Sequence, residues 1–265
     1  MKYLVFVVAA FAGMLPAFAQ NDAPAPKPAA PIDAAVKTLR FAGRDWEVRD
    51  SQSELGGPGP NRWDARNVWV DETGALHLKI ARRDDVWSCA EITSRQRLGF
   101  GTYEFRIGSR IDRFNPNIVG GLFLYPTPDV GPDGTHEIDI EFAHWNHADT
   151  PIGNYTVWPP RADALKKNPL QNTHPYPIAL NGDFSTHRWI WRHDKIDFAS
   201  FHGHRSNDAA PIHRWRFSPP QPADYIAQSP MPLHFNLWLF RGQAPADNRE
   251  VEMIIRAFRF KAAKN

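Results

Sequence analysis

Short runs of alternating apolar and polar residues recur along most of the chain. In residues 75–80, Leu76, Leu78 and Ile80 fall on one face of an extended backbone, and residues 102–107 repeat this pattern. Gly, Pro, Asn and Asp cluster between the runs, as expected for turns. The alternation predicts strands in seven main segments, which are residues 75–80, 102–107, 120–125, 154–157, 188–191, 234–239 and 251–260.

Helical signals are weak. The chain contains 24 prolines, which disfavour long helices, and residues 162–167 are the one segment that we expect to form a helical turn. About a dozen short strands predict an all-β fold, a sandwich of two antiparallel sheets. We expect one of the sheets to curve, so that its concave face forms a substrate groove.

The first 36 residues differ from the remainder in composition. Lys2 precedes an apolar stretch over residues 3–18, and Ala17-Phe18-Ala19 fits a small-x-small cleavage site, so residues 1–19 are predicted to be a signal peptide. Residues 20–36 are rich in Ala and Pro and predict an extended linker. We therefore expect one folded domain over residues 37–265, in a protein that is secreted or periplasmic. The alternative is an uncleaved membrane anchor.

Overall composition restricts the partners. The net charge is +2, from 31 basic and 29 acidic residues, which gives no electrostatic reason to expect nucleic acid or a membrane as a partner after signal cleavage. The 10 Trp and 17 Phe residues exceed what a core needs and suit stacking on sugar rings. Cys89 is the only cysteine, so no internal disulfide can form, and we expect a buried thiol.

The candidate chemistry lies on the predicted strand from His136 to Phe142. Because side chains alternate along a strand, three carboxylates share one face, and the apolar residues between them face the core. Like charges in a row are unfavourable, which indicates a functional reason for them. The acidic face is formed by Glu137, Asp139 and Glu141, and the apolar face by Ile138, Ile140 and Phe142.

Paired carboxylates at this position suit glycoside hydrolysis. A retaining glycosidase uses one carboxylate as nucleophile and one carboxylic acid to protonate the leaving oxygen, about 5–5.5 Å apart. The Cα atoms of Glu137 and Glu141 are separated by about 13 Å on a regular strand, so their side chains must lean together. Two bland alternatives are a solvated acidic face and a metal site that uses His136, His144 or His147.

Five segments in order resemble glycoside hydrolase family 16, the β-jelly-roll endo-glycanases. The Glu-Ile-Asp-Ile-Glu-Phe run at residues 137–142 resembles the catalytic signature of that family, and the resemblance extends over residues 40 to 260. The absence of an extra residue between Asp139 and Glu141 is similar to the mixed-linkage glucanase and xyloglucan branch. The segment at 196–203 departs from the family pattern. The resembling segments are residues 90–94, 99–106, 120–125, 137–142 and 231–238.

The resemblance implies a concanavalin A-like jelly roll and a role for each matched residue. Glu137 would be the nucleophile, Asp139 its helper and Glu141 the general acid/base. The implied sugar contacts are Glu91, Trp145, Asn154, Tyr155, Asn236 and Trp238.

The expected function is therefore that of a retaining endo-β-glycanase acting on a polysaccharide, with β-glucan the favoured substrate. A lectin-like binding module or a transglycosylase on the same fold is the alternative. We expect no required cofactor, no catalytic metal and a monomer. A structural Ca²⁺ ion is compatible with such a sandwich, but no ligand loop in the sequence indicates one.

Overall fold

A computed structural model describes residues 37–161, 163–167, 170–204 and 210–264. The predicted signal peptide and linker lie outside the described residues. Among the residues that are described, no helix is long and apolar enough to span a membrane.

Sixteen strands form two antiparallel sheets, numbered β1–β16 in chain order. In spatial order the first sheet consists of β1 (Thr38–Phe41), β2 (Arg44–Val48), β6 (Ala90–Leu98), β15 (Met231–Leu239), β8 (Ile118–Leu124), β9 (Ile138–Ala143), β10 (Gly153–Val157) and β11 (Thr173–Tyr176).

The second sheet has seven strands in its main path. They are β14 (Pro211–Phe217), β13 (Ile196–His202), β12 (Ser185–Trp191), β7 (Gly101–Ile107), β16 (Val251–Ala262), β4 (Leu76–Arg83) and β3 (Val68–Val70), and β5 (Val86–Ser88) pairs with β4. The predicted all-β, two-sheet jelly roll is thereby confirmed.

Helices are short. Among the described residues the α-helices are α1 (Ala164–Lys167) and α2 (Pro222–Tyr225), of four residues each. The expected helical turn at 162–167 is present from Ala164 onward, and residue 162 lies outside the described part of the chain.

Aromatic side chains from both sheets meet in the core. Phe235 on β15 lies with its ring centroid 5.8 Å from that of Phe105 on β7 and 6.0 Å from that of Phe258 on β16. All seven predicted strand segments lie wholly or mostly within observed strands. Their apolar faces supply the buried residues because one face of each sheet packs against the other sheet.

The single cysteine is part of this core. Cys89 is fully buried, and burial raises the pKa of its thiol to about 12. The expectation of a buried thiol is confirmed.

Candidate active site

The carboxylate strand is β9, and its side chains alternate as predicted. Ile138, Ile140 and Phe142 are completely buried in the core between the sheets. Asp139 and Glu141 therefore lie on the outer face of the first sheet. The strand begins at Ile138 rather than at His136, because His136 adopts a left-handed conformation with φ 60°. Glu137 directly precedes the strand, where its carbonyl accepts a hydrogen bond from the Trp158 backbone amide at 2.8 Å.

Strand pairing places the carboxylates in transverse rows across the sheet. One row runs through the cross-strand partners Asn154, Glu141, Gly121, Asn236 and Glu91. The next row runs through Thr156, Asp139, Phe123, His234 and Thr93. Residues in such rows share one face of the sheet, so residues from β6, β8, β10 and β15 surround the acidic strand.

No bulge interrupts β9 beside the carboxylates. The register of β9 with β8 and with β10 is continuous from Ile138 to Phe142. Asp139 and Glu141 therefore point to the same side, as the spacing of the sequence predicts.

These outward-facing polar residues are largely shielded from solvent. Asp139 is 2% exposed, Asn236 4% and Glu91 7%, whereas Glu137 and Glu141 are half-buried. Polar groups on the outer face of a sheet become buried only when neighbouring segments wall them in. The acidic row therefore lies at the floor of a cleft.

Burial raises the pKa of all three carboxyl groups. The pKa of Glu137 is raised to about 7, mainly by desolvation and further by the charge of Glu91. The pKa of Glu141 is raised to about 8 by desolvation and by the charge of Glu137. The pKa of Asp139 lies well above its usual range because it is desolvated between both glutamates. The three groups therefore titrate as a linked set, with Glu137 ionising before Glu141.

Asp139 is the most confined of the three. Neither of its carboxyl oxygens has a hydrogen-bond partner among the described residues. The side chains of Glu137 and Trp158 nevertheless lie close enough to influence its pKa. A protonated Asp139 can donate a hydrogen bond to an ionised neighbour, so this carboxyl is suited to hold a proton between the two glutamates.

Glu91 is held as an anion beside the carboxylate strand. Its Oε2 forms an ion pair with Arg49 Nη1 at 2.9 Å, and its Oε1 lies 3.3 Å from His234 Nδ1. Burial opposes ionisation of Glu91, but the contacts with His234 and Arg49 keep its pKa below the usual value. Glu91 thus presents a fixed carboxylate that can accept hydrogen bonds from hydroxyl groups.

An aromatic wall adjoins this anion, and sequence reasoning did not single out its members. The rings of Phe123 and His234 stack with centroids 4.9 Å apart at 25°. Tyr125 packs edge-on against His234 at 6.1 Å. Both Phe123 and Tyr125 occupy the predicted 120–125 strand segment on the same alternating face, so their outward position could have been inferred from the sequence. The contacts of His234 could not, because they depend on strand order.

Gly121 separates Asn236 from Glu141. A Cβ atom at Gly121 would overlap Asn236 Oδ1 inside van der Waals contact. Asn236 Oδ1 is buried and has no hydrogen-bond partner within the described structure. The missing side chain therefore leaves room for the Asn236 amide to lie beside the acidic strand, with hydrogen-bonding capacity to spare.

The expectation of a sugar contact at Tyr155 is wrong. Tyr155 is fully buried in the core, on the face of β10 opposite to Asn154. Its hydroxyl hydrogen-bonds with Ser200 Oγ at 2.7 Å, and its ring stacks on Tyr176 at 4.3 Å. The alternation of the strand places only one of two consecutive residues in the cleft, and here it is Asn154.

The other three predicted sugar contacts lie on or near the outer face. Asn154 faces Glu141, but its Nδ2 donates to the carbonyls of Ala143 and Ile152, both at 3.1 Å, so its donors support the end of β9. Trp238 is 7% exposed, which leaves little of its ring for stacking on a sugar. Trp145 is half-buried and packs edge-on against Phe240 at 5.6 Å.

The histidines near the strand do not assemble around the carboxylates. His136 Nδ1 lies 2.8 Å from Thr135 Oγ1, and His144 Nδ1 lies 2.7 Å from the Thr150 carbonyl. Within the described ranges, no three His, Cys, Asp or Glu side chains are arranged to hold a metal ion.

Comparison with known proteins gives a family. The model of the glycosyl hydrolases family 16 matches residues 60–253, which is most of the chain. No curated protein resembles the chain closely enough to count as a match.

Solved structures share the fold at low sequence identity. The β-glucanase of Bacillus licheniformis is 22% identical with a TM-score of 0.58, over 82% of this chain and 92% of that one. A family 16 protein from the mixed-linkage glucan locus of Bacteroides ovatus, in complex with a G4G4G3G product, is 16% identical with a TM-score of 0.60, over 82% and 94%. Rv0315 of Mycobacterium tuberculosis, described as an immunostimulatory antigen and pseudo β-1,3-glucanase, is 19% identical with a TM-score of 0.60, over 83% and 91%.

Proposed function

Because the chain belongs to glycosyl hydrolases family 16, we propose that it is a secreted or periplasmic endo-β-glucanase that cleaves with retention of configuration. The observation that carries the proposal is the row of three buried or half-buried carboxyl groups on the outer face of β9, with Glu137 ionising before Glu141. A binding surface has no need of such a costly arrangement, whereas double displacement requires one ionised and one protonated carboxyl.

The first step uses the two glutamates in different protonation states. The ionised Glu137 carboxylate attacks the anomeric carbon, and the glycosidic C–O bond breaks as the Glu141 carboxyl transfers its proton to the leaving oxygen. Glu137 has the lower pKa and Glu141 the higher, which matches these roles. The product of this step is a glycosyl ester of Glu137 and an ionised Glu141.

The second step reverses the proton transfer. Glu141, now a carboxylate, removes a proton from a water molecule, and the resulting oxygen attacks the anomeric carbon and releases Glu137. Asp139 lies between the glutamates and acts as a proton-sharing helper rather than as an attacking group. Two inversions at one carbon leave the product with its original β configuration.

The substrate-binding part of the proposal rests on the walls of the cleft. The ionised Glu91 offers an acceptor for sugar hydroxyls, and Asn236 has an unused buried amide oxygen. Phe123, Tyr125 and His234 provide apolar ring surface beside them. The names of the structural neighbours, a β-glucanase and a protein bound to a mixed-linkage glucan product, support β-glucan as the polymer.

The decisive assay is the release of reducing ends from barley β-glucan, lichenan, laminarin and xyloglucan. We expect the wild-type protein to release new ends from at least one glucan, and Glu137→Gln to lower the rate by about 10³-fold or more, because the nucleophile is lost. Glu72→Gln is a matched control, since Glu72 is an exposed carboxylate in the turn between β3 and β4.

Three other outcomes would change the assignment. Binding of a glucan with no release above the Glu137→Gln level would identify a glycan-binding protein on this fold. Longer oligosaccharides without new reducing ends would identify a transglycosylase. Full activity of Glu137→Gln would exclude Glu137 as the nucleophile.

A further inference from the structure

The outer face of the second sheet carries a concentration of positive charge far from the carboxylate strand. One transverse row runs through the cross-strand partners Arg259, Glu104, Arg188, Ala199 and Arg214. The neighbouring row runs through Lys261, Thr102, Ile190, Asp197 and Arg216. We call these two rows the basic face. They hold five cationic groups and two carboxylates, although the whole chain is nearly neutral.

The side chains of the basic face point away from the core. The alternate residues on the same strands, including Tyr103, Phe105 and Trp189, are fully buried between the sheets. Arg214, Arg216, Arg259 and Lys261 are exposed. The positive charges are therefore available at the surface.

The arginines at one end of the face are held in place rather than free to sweep through solvent. The guanidinium groups of Arg188 and Arg214 lie 5.3 and 5.7 Å from the Phe201 ring centroid. Arg216 Nε lies 2.5 Å from Asp197 Oδ1, and Arg192 Nη1 lies 2.7 Å from Asp197 Oδ2. A positioned guanidinium loses less side-chain entropy when it binds an anion.

Two shallow depressions follow one another along the rows. One has a volume of about 460 Å³ and is lined in part by Arg188, Asp197, Arg214 and Arg216. The other has a volume of about 500 Å³ and is lined in part by Arg44, Glu104, Arg259 and Lys261. Because Glu104 and Arg188 are direct cross-strand partners, the depressions are adjacent. Five strands span about 19 Å, which makes a track suited to an extended polymer.

We propose that the basic face is a second glycan-binding site, and that its ligand is a carboxylated polysaccharide of the polyuronate type. Guanidinium groups match carboxylates in paired hydrogen bonds. Glu104 and Asp197 stand between the cations and accept hydrogen bonds from hydroxyl groups, which a sugar chain carries between its carboxylates. The alternation of cation and carboxylate on the protein thus complements the alternation of carboxylate and hydroxyl on such a glycan.

The same alternation disfavours other polyanions. Duplex DNA carries one negative charge per about 1.7 Å and has few hydroxyl donors, so Glu104 and Asp197 would repel its phosphates. A neutral glucan would make no use of the arginines. The basic face is independent of the carboxylate cleft, so the site would hold an acidic matrix polymer whether or not the cleft hydrolyses a glucan.

The test is affinity electrophoresis of the full chain in gels that contain polygalacturonate, with neutral barley β-glucan gels for comparison. We expect polygalacturonate to retard the wild-type protein at low ionic strength. The double variant Arg188→Gln, Arg214→Gln should weaken the affinity by about tenfold, because two charge-assisted contacts are lost. Replacement of both residues by Lys should weaken it less, since the charge stays but the paired geometry is lost.

The matched control is the double variant Arg40→Gln, Arg66→Gln, which removes the same charge from exposed arginines elsewhere, with side chains 69% and 70% exposed. It should bind polygalacturonate like the wild type. Equal weakening in both double variants, no retardation of the wild-type protein, or tighter binding of duplex DNA or anionic vesicles would each overturn the proposal. Reducing-end release from glucans, measured alongside, should be unchanged in all these variants, which separates this site from the proposed hydrolysis.

Discussion

At the scale of single residues, the account depends on the ordering of two ionisations. Glu137 and Glu141 are chemically identical side chains four positions apart, and burial raises the pKa of both. Their charges oppose each other, so the second proton is harder to remove than the first. That asymmetry allows one residue to act as nucleophile while the other still carries a proton.

The pH dependence of kcat/KM on a β-glucan should therefore be bell-shaped and centred between pH 7 and 8. Below the Glu137 pKa of about 7 the nucleophile is protonated, so the rate rises with pH through that value. Above the Glu141 pKa of about 8 the acid has lost its proton, so the rate falls. A flat profile between pH 5 and pH 9, measured with initial rates under about constant ionic strength, would show that these two groups do not control the reaction.

At the scale of elements, the sequence predicted β9 well and its neighbours poorly. The alternation of acidic and apolar residues placed Asp139 and Glu141 on one face, and the structure agrees. The error at Tyr155 came from carrying over two consecutive residues of one strand, although strand geometry allows only one of them to face the cleft. His234 and Arg49 escaped notice because β2, β6, β15, β8 and β9 are neighbours in space but not in sequence, and no local pattern encodes that order.

Gly121 offers a test of how these strands cooperate. Gly121→Ala should lower glucanase activity by at least about tenfold and the free energy of unfolding by about 1–3 kcal/mol, because its Cβ would displace Asn236 and crowd the acidic row. Gly182→Ala is the control, since nothing lies near the Cβ that it would introduce. Initial rates and chemical denaturation of both variants give the answer. Wild-type activity in Gly121→Ala would show that the Asn236 position is unimportant.

At the scale of the whole molecule, a buried polar cluster links the two sheets. Ser200 on β13 hydrogen-bonds with the Tyr155 hydroxyl at 2.7 Å and with the Tyr176 hydroxyl at 2.8 Å, both from the first sheet. His187 Nδ1 on β12 lies 2.8 Å from the same Ser200 oxygen. Burial lowers the pKa of His187 to about 3, so this histidine stays neutral within the core.

Loss of the Ser200 hydroxyl should therefore destabilise the sandwich as a unit. Ser200→Ala should lower the free energy of unfolding by about 2–3 kcal/mol, because buried donors on both sheets lose a partner. Ser185→Ala, which removes a contact with His187 Nε2 at 2.9 Å, should lower it by about 1 kcal/mol. Urea unfolding of the two variants compares them directly. A smaller effect for Ser200 than for Ser185 would contradict the linking role.

The sandwich thus has two functional faces of opposite charge, and only one could be foreseen from the sequence. The acidic face is written in six consecutive residues at 137–142. The basic face is assembled from five strands, and a net charge of +2 conceals it.

The central claim, hydrolysis by double displacement at Glu137 and Glu141, is tested most directly by proton NMR of the first product released from a β-glucan. The account predicts that the new reducing end appears first as the β anomer and only later equilibrates with the α anomer. Initial release of the α anomer would contradict the double displacement, and the absence of any new reducing end would contradict the hydrolysis itself.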